Sequence, residues 1–168
     1  SSDLPKDKSS TYIQVSAGGS HTCALTSKGG YECVGSKRDG KAPKTLQLPK
    51  DNSSTYIQVS AGGSGHTCAL TSKGGYECVG ENNYGQAPKT LQLPKDKSST
   101  YIQVSAGEMH TCALTSKGGY ECVGDNRAGR APKTLPLPKD NSSTYIQVSA
   151  GGSHTCALTS KGGYECVG

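Results

Sequence analysis

The chain has 168 residues, of which only 32% are apolar, with 23 Gly, 8 Pro, 8 Cys and neither Trp nor Phe. That leaves a lean core needing further stabilisation, and no apolar run approaches the roughly 20 residues of a membrane-spanning helix. The net charge is +5 from 18 Lys and Arg against 13 Asp and Glu, but the lysines recur at intervals without clustering or interleaved aromatics, which speaks against nucleic-acid binding.

The phrase Thr-Tyr-Ile-Gln-Val-Ser-Ala-Gly begins at Thr11, Thr55, Thr100 and Thr144. A second phrase, His-Thr-Cys-Ala-Leu-Thr-Ser-Lys-Gly-Gly-Tyr-Glu-Cys-Val-Gly, begins at His21, His66, His110 and His154. Equivalent cysteines at 23, 68, 112 and 156 are spaced 45, 44 and 44 residues apart. A fixed period of this length marks a repeat architecture, in which neighbouring units stack to bury apolar faces that none can bury alone. The chain reads as one repeat domain over 1–168, with units of approximately 1–50, 51–95, 96–139 and 140–168.

In chain order, Leu4-Pro5-Lys6-Asp7 comes first and matches Leu48-Pro49-Lys50-Asp51. Tyr12 to Ala17 has strand alternation, placing Ile13, Val15 and Ala17 on one face and Tyr12, Gln14 and Ser16 on the other. Gly18-Gly19 ends it, and Thr22 to Thr26 forms a second strand. Ser27-Lys28-Gly29-Gly30 makes a tight turn, and Tyr31 to Val34 returns as a third strand. A polar loop follows from Gly35 to Lys41. Pro43 and Pro49 then bracket Leu46-Gln47-Leu48, which fits only a short edge strand. No stretch has helical periodicity. The expected class is all-β: four propeller-like blades of about 44 residues with three to four short antiparallel strands each, in an open or continuing array, with a β-solenoid coil as the alternative.

The last unit stops at Gly168, before its loop and edge strand. The N-terminal Leu4 to Asp7 segment would complete it, within this chain or in a neighbouring one. Beginning Ser-Ser-Asp-Leu, the chain reads as a processed form or an excerpt.

Cys23 and Cys33 flank the Ser-Lys-Gly-Gly turn on facing strands, as do Cys68 and Cys78, Cys112 and Cys122, and Cys156 and Cys166. Facing positions lie close enough for a disulfide, and four such links suit a lean core in an oxidising compartment. Zinc bound through His21, Cys23 and Cys33, or reduced thiols, are the other readings. The short spacing between zinc ligands is missing, so no metal is expected. The four histidines occupy identical positions without a distinct partner, as expected of structural residues. No nucleophile elbow or phosphate loop occurs, so neither an enzyme nor a cofactor is expected.

The copies differ mainly in two places. The loop after the third strand holds Arg38 in the first unit, Tyr84 in the second and Arg127 in the third, and the turn before His110 holds Met109. These four are the candidate partner-binding residues, since Arg and Tyr anchor many interfaces. Asn52 and Asn141 head Asn-Ser-Ser sequons and are candidate glycosylation sites.

The run Gly65-His66-Thr67-Cys68-Ala69-Leu70, followed by Gly75-Tyr76-Glu77-Cys78-Val79-Gly80-Glu81-Asn82-Asn83-Tyr84-Gly85-Gln86, resembles the repeat of the regulator-of-chromosome-condensation family. The resemblance covers essentially the whole chain. It departs in having Val34, Val79, Val123 and Val167 where the family has Trp, Lys37 in place of the loop Asn, and four units where seven are common. It implies propeller blades and, through the cysteine pairs, an extracellular, secreted protein. Family functions range from nucleotide exchange to enzyme inhibition, so the fold alone does not choose among them.

Two functions are expected from this sequence. The first is a non-enzymatic structural or assembly module, such as a filament, coat or scaffold subunit, that self-associates head to tail. The alternative is a lectin or protein-binding propeller, with Tyr12, Tyr31, Tyr84 and their equivalents stacking on glycans in place of Trp.

Overall fold

A computed structural model describes residues 4–35, 43 and 45–168. Arg38 and the rest of the first unit's variable loop lie outside the described residues.

Twelve strands form four antiparallel sheets of three. The first blade comprises β1 (Tyr12–Ala17), β2 (His21–Thr26) and β3 (Tyr31–Gly35). The second comprises β4 (Tyr56–Ala61), β5 (His66–Thr71) and β6 (Tyr76–Gly80). The third comprises β7 (Tyr101–Ala106), β8 (His110–Thr115) and β9 (Tyr120–Gly124). The fourth comprises β10 (Tyr145–Ala150), β11 (Thr155–Thr159) and β12 (Tyr164–Val167). Each sheet runs in chain order, and no helix occurs among the described residues.

The expected fourth strand is reduced to a single bridge, Tyr31 to Gln47 in the first blade and Tyr76 to Gln92 in the second. Pro136 takes that place in the third unit. It has no N–H to match the Gln47 amide that donates to the Tyr31 carbonyl at 2.8 Å.

Simple alternation fails in the first strand of every blade. The register shifts between Tyr12 and Gln14, Tyr56 and Gln58, Tyr101 and Gln103, and Tyr145 and Gln147. A β-bulge there turns the tyrosine onto the face of the valine and pushes the isoleucine outward. Ile102 is therefore 53% exposed while Val104 is 1% exposed, although two-residue periodicity puts them on one face. Ile102→Ala should change stability by less than about 0.5 kcal/mol. Val104→Ala should cost roughly 2 kcal/mol. Urea denaturation of the two variants checks this, and equal losses would contradict the bulge.

The core lies between blades. Cys23, Leu25 and Tyr31 of the first blade form one buried cluster with Tyr56, Val59, Ala61 and Ala69 of the second. The equivalent residues meet at the second and third seams. Each blade thus has a forward face of Cys, Leu and Tyr and a rear face of Tyr, Val and Ala. Gly29 shows how tightly successive blades approach. Its φ is +86°, and a Cβ there would lie 2.5 Å from that of Thr55, while its carbonyl accepts the Tyr56 N–H at 2.8 Å. Any side chain would strain the turn and push the next blade away.

Candidate functional site

All eight cysteines are paired, Cys23–Cys33, Cys68–Cys78, Cys112–Cys122 and Cys156–Cys166. Partners stand directly opposite each other in the strand register. No thiol remains to ligate zinc, and the described residues contain no group of three or more His, Cys, Asp and Glu side chains suited to a metal. Each disulfide lies on the forward face, so the first three are covered by the following blade. Cys23, Cys68 and Cys112 are fully buried, whereas Cys166 is exposed.

Each seam repeats one polar code. The Gln14 carboxamide accepts the Val59 N–H at 3.1 Å and donates to its carbonyl at 3.0 Å. Ser16 Oγ accepts the Ala61 N–H at 2.9 Å. The Tyr31 and Tyr56 rings pack with centroids 5.4 Å apart, and the Tyr56 hydroxyl donates to Glu77 at 2.8 Å. Gln58 and Gln103 serve the next two seams in the same way.

The histidines are part of this code. His66 Nε2 lies 2.8 Å from Thr111 Oγ1, and that hydroxyl donates to the Gln86 carbonyl at 2.7 Å. Nε2 must therefore carry the proton, which leaves the buried Nδ1 of His66 without a partner. His110 is held the same way, 2.7 Å from Thr155, which donates to the Arg130 carbonyl. Burial pushes the His66 pKa down to about 4, with His110 and His21 adding to it. Burial and then Arg130 do the same for His110, also to about 4.

Three of the four variable candidates meet. The Arg127 guanidinium stacks 5.0 Å from the Tyr84 ring centroid, and its Nη2 reaches Met109 Sδ at 4.0 Å. Asp125, with a 2% exposed side chain, fixes it through contacts of 2.6 to 3.0 Å. The Arg127 hydrogen bond in turn holds the Asp125 carboxyl well below the usual range. The Asn82 and Asn126 side chains accept the Ala87 and Ala131 N–H groups at 2.9 Å and close these loops.

One set of repeated lysines is neutralised at the surface. Lys28, Lys73, Lys117 and Lys161 pair with Asp7, Asp51, Asp96 and Asp140 at 2.7 to 2.9 Å. Hydrogen bonds from Lys73 and then Ser53 bring the Asp51 pKa down to about 2. Asn52 and Asn141 are exposed in the same turns.

The glycan-stacking role expected of Tyr31 and its equivalents does not survive. Tyr31, Tyr76 and Tyr120 are 1–2% exposed, because the next blade covers them. Tyr164, in the last blade, is 75% exposed. At the other end, Val15 is 69% exposed, although Val59, Val104 and Val148 are each 1% exposed. The groove beside Val15 and Tyr12 encloses about 630 Å³. Periodicity alone gives Val15 no role different from that of Val59, Val104 and Val148. The signal was present, since a stacking unit at either end of the array leaves one buried position uncovered.

Neither a family model nor a curated protein sequence matches the chain. Solved structures do. Human WBSCR16 superimposes with a TM-score of 0.76 at 20% identity, over 97% of this chain and 49% of that one. The CRINKLY WD40 ectodomain of the Arabidopsis thaliana receptor kinase ACR4 gives 0.72 at 23% identity, over 95% and 54%. Prp20p of Saccharomyces cerevisiae, the yeast RCC1, gives 0.73 at 19% identity, over 97% and 45%. These likenesses establish an RCC1-type propeller-repeat fold, and the chain spans about half the length of the proteins it matches.

Proposed function

We propose that this chain is a non-enzymatic, extracellular repeat module with an assembly role, in which disulfide-stapled blades present faces that bind one another. One observation carries this reading. Successive blades bind one another through the same forward and rear faces at all three internal seams, so each repeat carries a surface that recognises a copy of itself. The polar groups with chemical potential are largely engaged, the cysteines in disulfides and His21, His66 and His110 in seam hydrogen bonds. Four disulfides fit an oxidising compartment. Sedimentation of the oxidised protein across micromolar concentrations should give species heavier than the 17.3 kDa single chain. A single chain at every concentration would remove the basis for the proposal.

A second reading, protein binding through the variable loops, is favoured by the contact of Tyr84, Met109 and Arg127. Prp20p, which shares this fold, has binding properties toward Gsp1p and histones, so proteins of this fold do bind other proteins. Glycan binding would fall to Tyr84, which is 43% exposed. Tyr84→Ala, which leaves the Asp125–Arg127 ion pair in place, should keep the seams and thermal stability intact while weakening capture of such a partner. Adding Arg127→Ala should abolish capture and also cost stability, because it strands the buried Asp125 carboxylate.

A further inference from the structure

We propose that Asn52 and Asn141 are attachment sites for N-linked oligosaccharides, so that two of the four repeats carry a glycan on the same turn. The inference rests on the extracellular part of the reading above and is independent of assembly.

The chain has five asparagines, at 52, 82, 83, 126 and 141. Three are committed to the fold. Asn82 and Asn126 accept the Ala87 and Ala131 N–H groups and close their loops. The Asn83 carboxamide donates to Glu81 at 2.9 Å. Among the described residues, only the Asn52 and Asn141 carboxamides make no hydrogen bond, and both asparagines are exposed. These two are also the asparagines with a serine two positions on, Ser54 and Ser143, which is the acceptor motif for N-glycosylation. Motif, exposure and an uncommitted amide coincide at these two positions and at none of the other three.

The turn is held by its neighbours and not by the asparagine. Asp51 Oδ1 accepts the Ser53 N–H at 2.9 Å and its hydroxyl at 2.8 Å, and Asp51 pairs with Lys73 at 2.9 Å. Asp140 holds the second sequon in the same way through Ser142 and Lys161. Lys8 and Lys97 occupy the equivalent positions in the other two copies, and the same Asp–Ser contacts form around them. The position therefore accepts a long side chain without change to the turn, and a linked sugar displaces no contact.

The modification is transfer of an oligosaccharide from a lipid-linked pyrophosphate donor. The bond from Asn Nδ2 to the anomeric carbon forms as the bond from that carbon to the pyrophosphate oxygen breaks. The amide nitrogen gives up one proton, and the lipid pyrophosphate leaves.

Placement gives the glycans an effect. The Lys73–Asp51 pair fixes the sequon turn beside the β5–β6 turn. The variable loop leaves the opposite end of that hairpin, where the Glu81 N–H donates to the Gly65 carbonyl at 2.8 Å and where Arg127, Tyr84 and Met109 meet. The glycans shield one end of the blades and leave the variable-loop end uncovered.

The test is the intact mass of the 168-residue chain secreted by a eukaryotic cell, before and after an amidase that removes N-linked glycans and leaves Asp in place of each linked Asn. Wild type should exceed the 17.3 kDa polypeptide by two oligosaccharides, and peptide mapping after the amidase should read Asp at 52 and 141. Asn52→Lys and Asn141→Lys, which copy the residue of the other repeats and so keep the turn, should each lose one glycan. Ser54→Ala should lose the same glycan as Asn52→Lys although the asparagine remains. Lys97→Asn completes the motif with Ser99 and should gain a third. Removing the glycans should speed tryptic cleavage after Lys73 several-fold.

A secreted, fully disulfide-bonded chain with unmodified Asn52 and Asn141 would overturn the sites and leave the extracellular reading standing. A chain retained in the cell with unpaired cysteines would overturn both. Sugar that resists the amidase and maps to Ser or Thr would overturn the N-linked assignment, and unchanged cleavage after Lys73 would overturn the shielding.

Discussion

Full reduction of the four disulfides should unfold this chain in buffer where the oxidised protein is native. Each disulfide spans a separation of 10 residues. In the chain-entropy model such a link contributes roughly 3 kcal/mol by restricting the unfolded state. The loops do not overlap, so four links together contribute on the order of 10 kcal/mol, comparable to the whole stability of an ordinary domain. The buried apolar material is too sparse to replace them. Each seam depends on one Leu, one Val, two Tyr and a few Ala around a disulfide. Circular dichroism with and without a strong reductant checks the global effect. The double variant Cys68→Ser with Cys78→Ser isolates one link and should lower the urea-unfolding free energy by about 3 kcal/mol. It also leaves polar groups at a seam where Cys68 is fully buried, so any deviation should be toward greater loss. A reduced chain with native strand signal and an unchanged urea midpoint would show that seam packing alone suffices.

How much of this was legible in the sequence follows from the range of each interaction. The β2–β3 hairpin and its cysteine pair lie within a dozen residues, so turn glycines and facing positions reveal them directly. The first strand was placed correctly at Tyr12–Ala17, but its faces were not. A bulge is one extra residue, invisible to a two-residue period, and it reverses the roles of Tyr12 and Ile13. Burial of Tyr31 was hidden for a different reason. Its cover is Tyr56, in the next unit, and a single repeat contains no trace of that contact. The meeting of Tyr84 and Arg127 is of the same kind. They stand almost one period apart, and stacking converts one period of sequence into adjacency in space. Comparing the copies flagged both as variable without showing that they touch. The exposed Val15 and Tyr164 follow from the same rule applied to the ends of the array.

Acid should open this protein at its seams, and the cause is the histidine ladder. His66 and His110 titrate near 4 when folded, against about 6.5 in an unfolded chain. Between these values the unfolded chain takes up protons that the native chain refuses. Stability is therefore fully present above about pH 6.5, falls as the pH drops toward 4, and levels off below it as far as these groups are concerned. For His66 the loss over that window amounts to roughly 3 kcal/mol, and His110 acts in the same direction. The hydrogen-bond geometry explains why the native state refuses the proton. Nε2 already donates to a threonine whose own hydroxyl is committed to a carbonyl, so a new proton would go to a buried Nδ1, and burial penalises the added charge more than the nearby backbone of His110 or His154 favours it. The exposed aspartates act later. Asp51, titrating at about 2, loses its contribution only below the ordinary carboxylate range, which separates the two effects on the pH axis. Thermal midpoints measured from pH 8 to pH 3.5 should fall mainly between 6.5 and 4. In His66→Gln, which keeps a side-chain N–H donor near Thr111 and cannot titrate, the drop in that window should shrink by about half. A His66→Gln profile parallel to wild type would place the acid response elsewhere than in the seams.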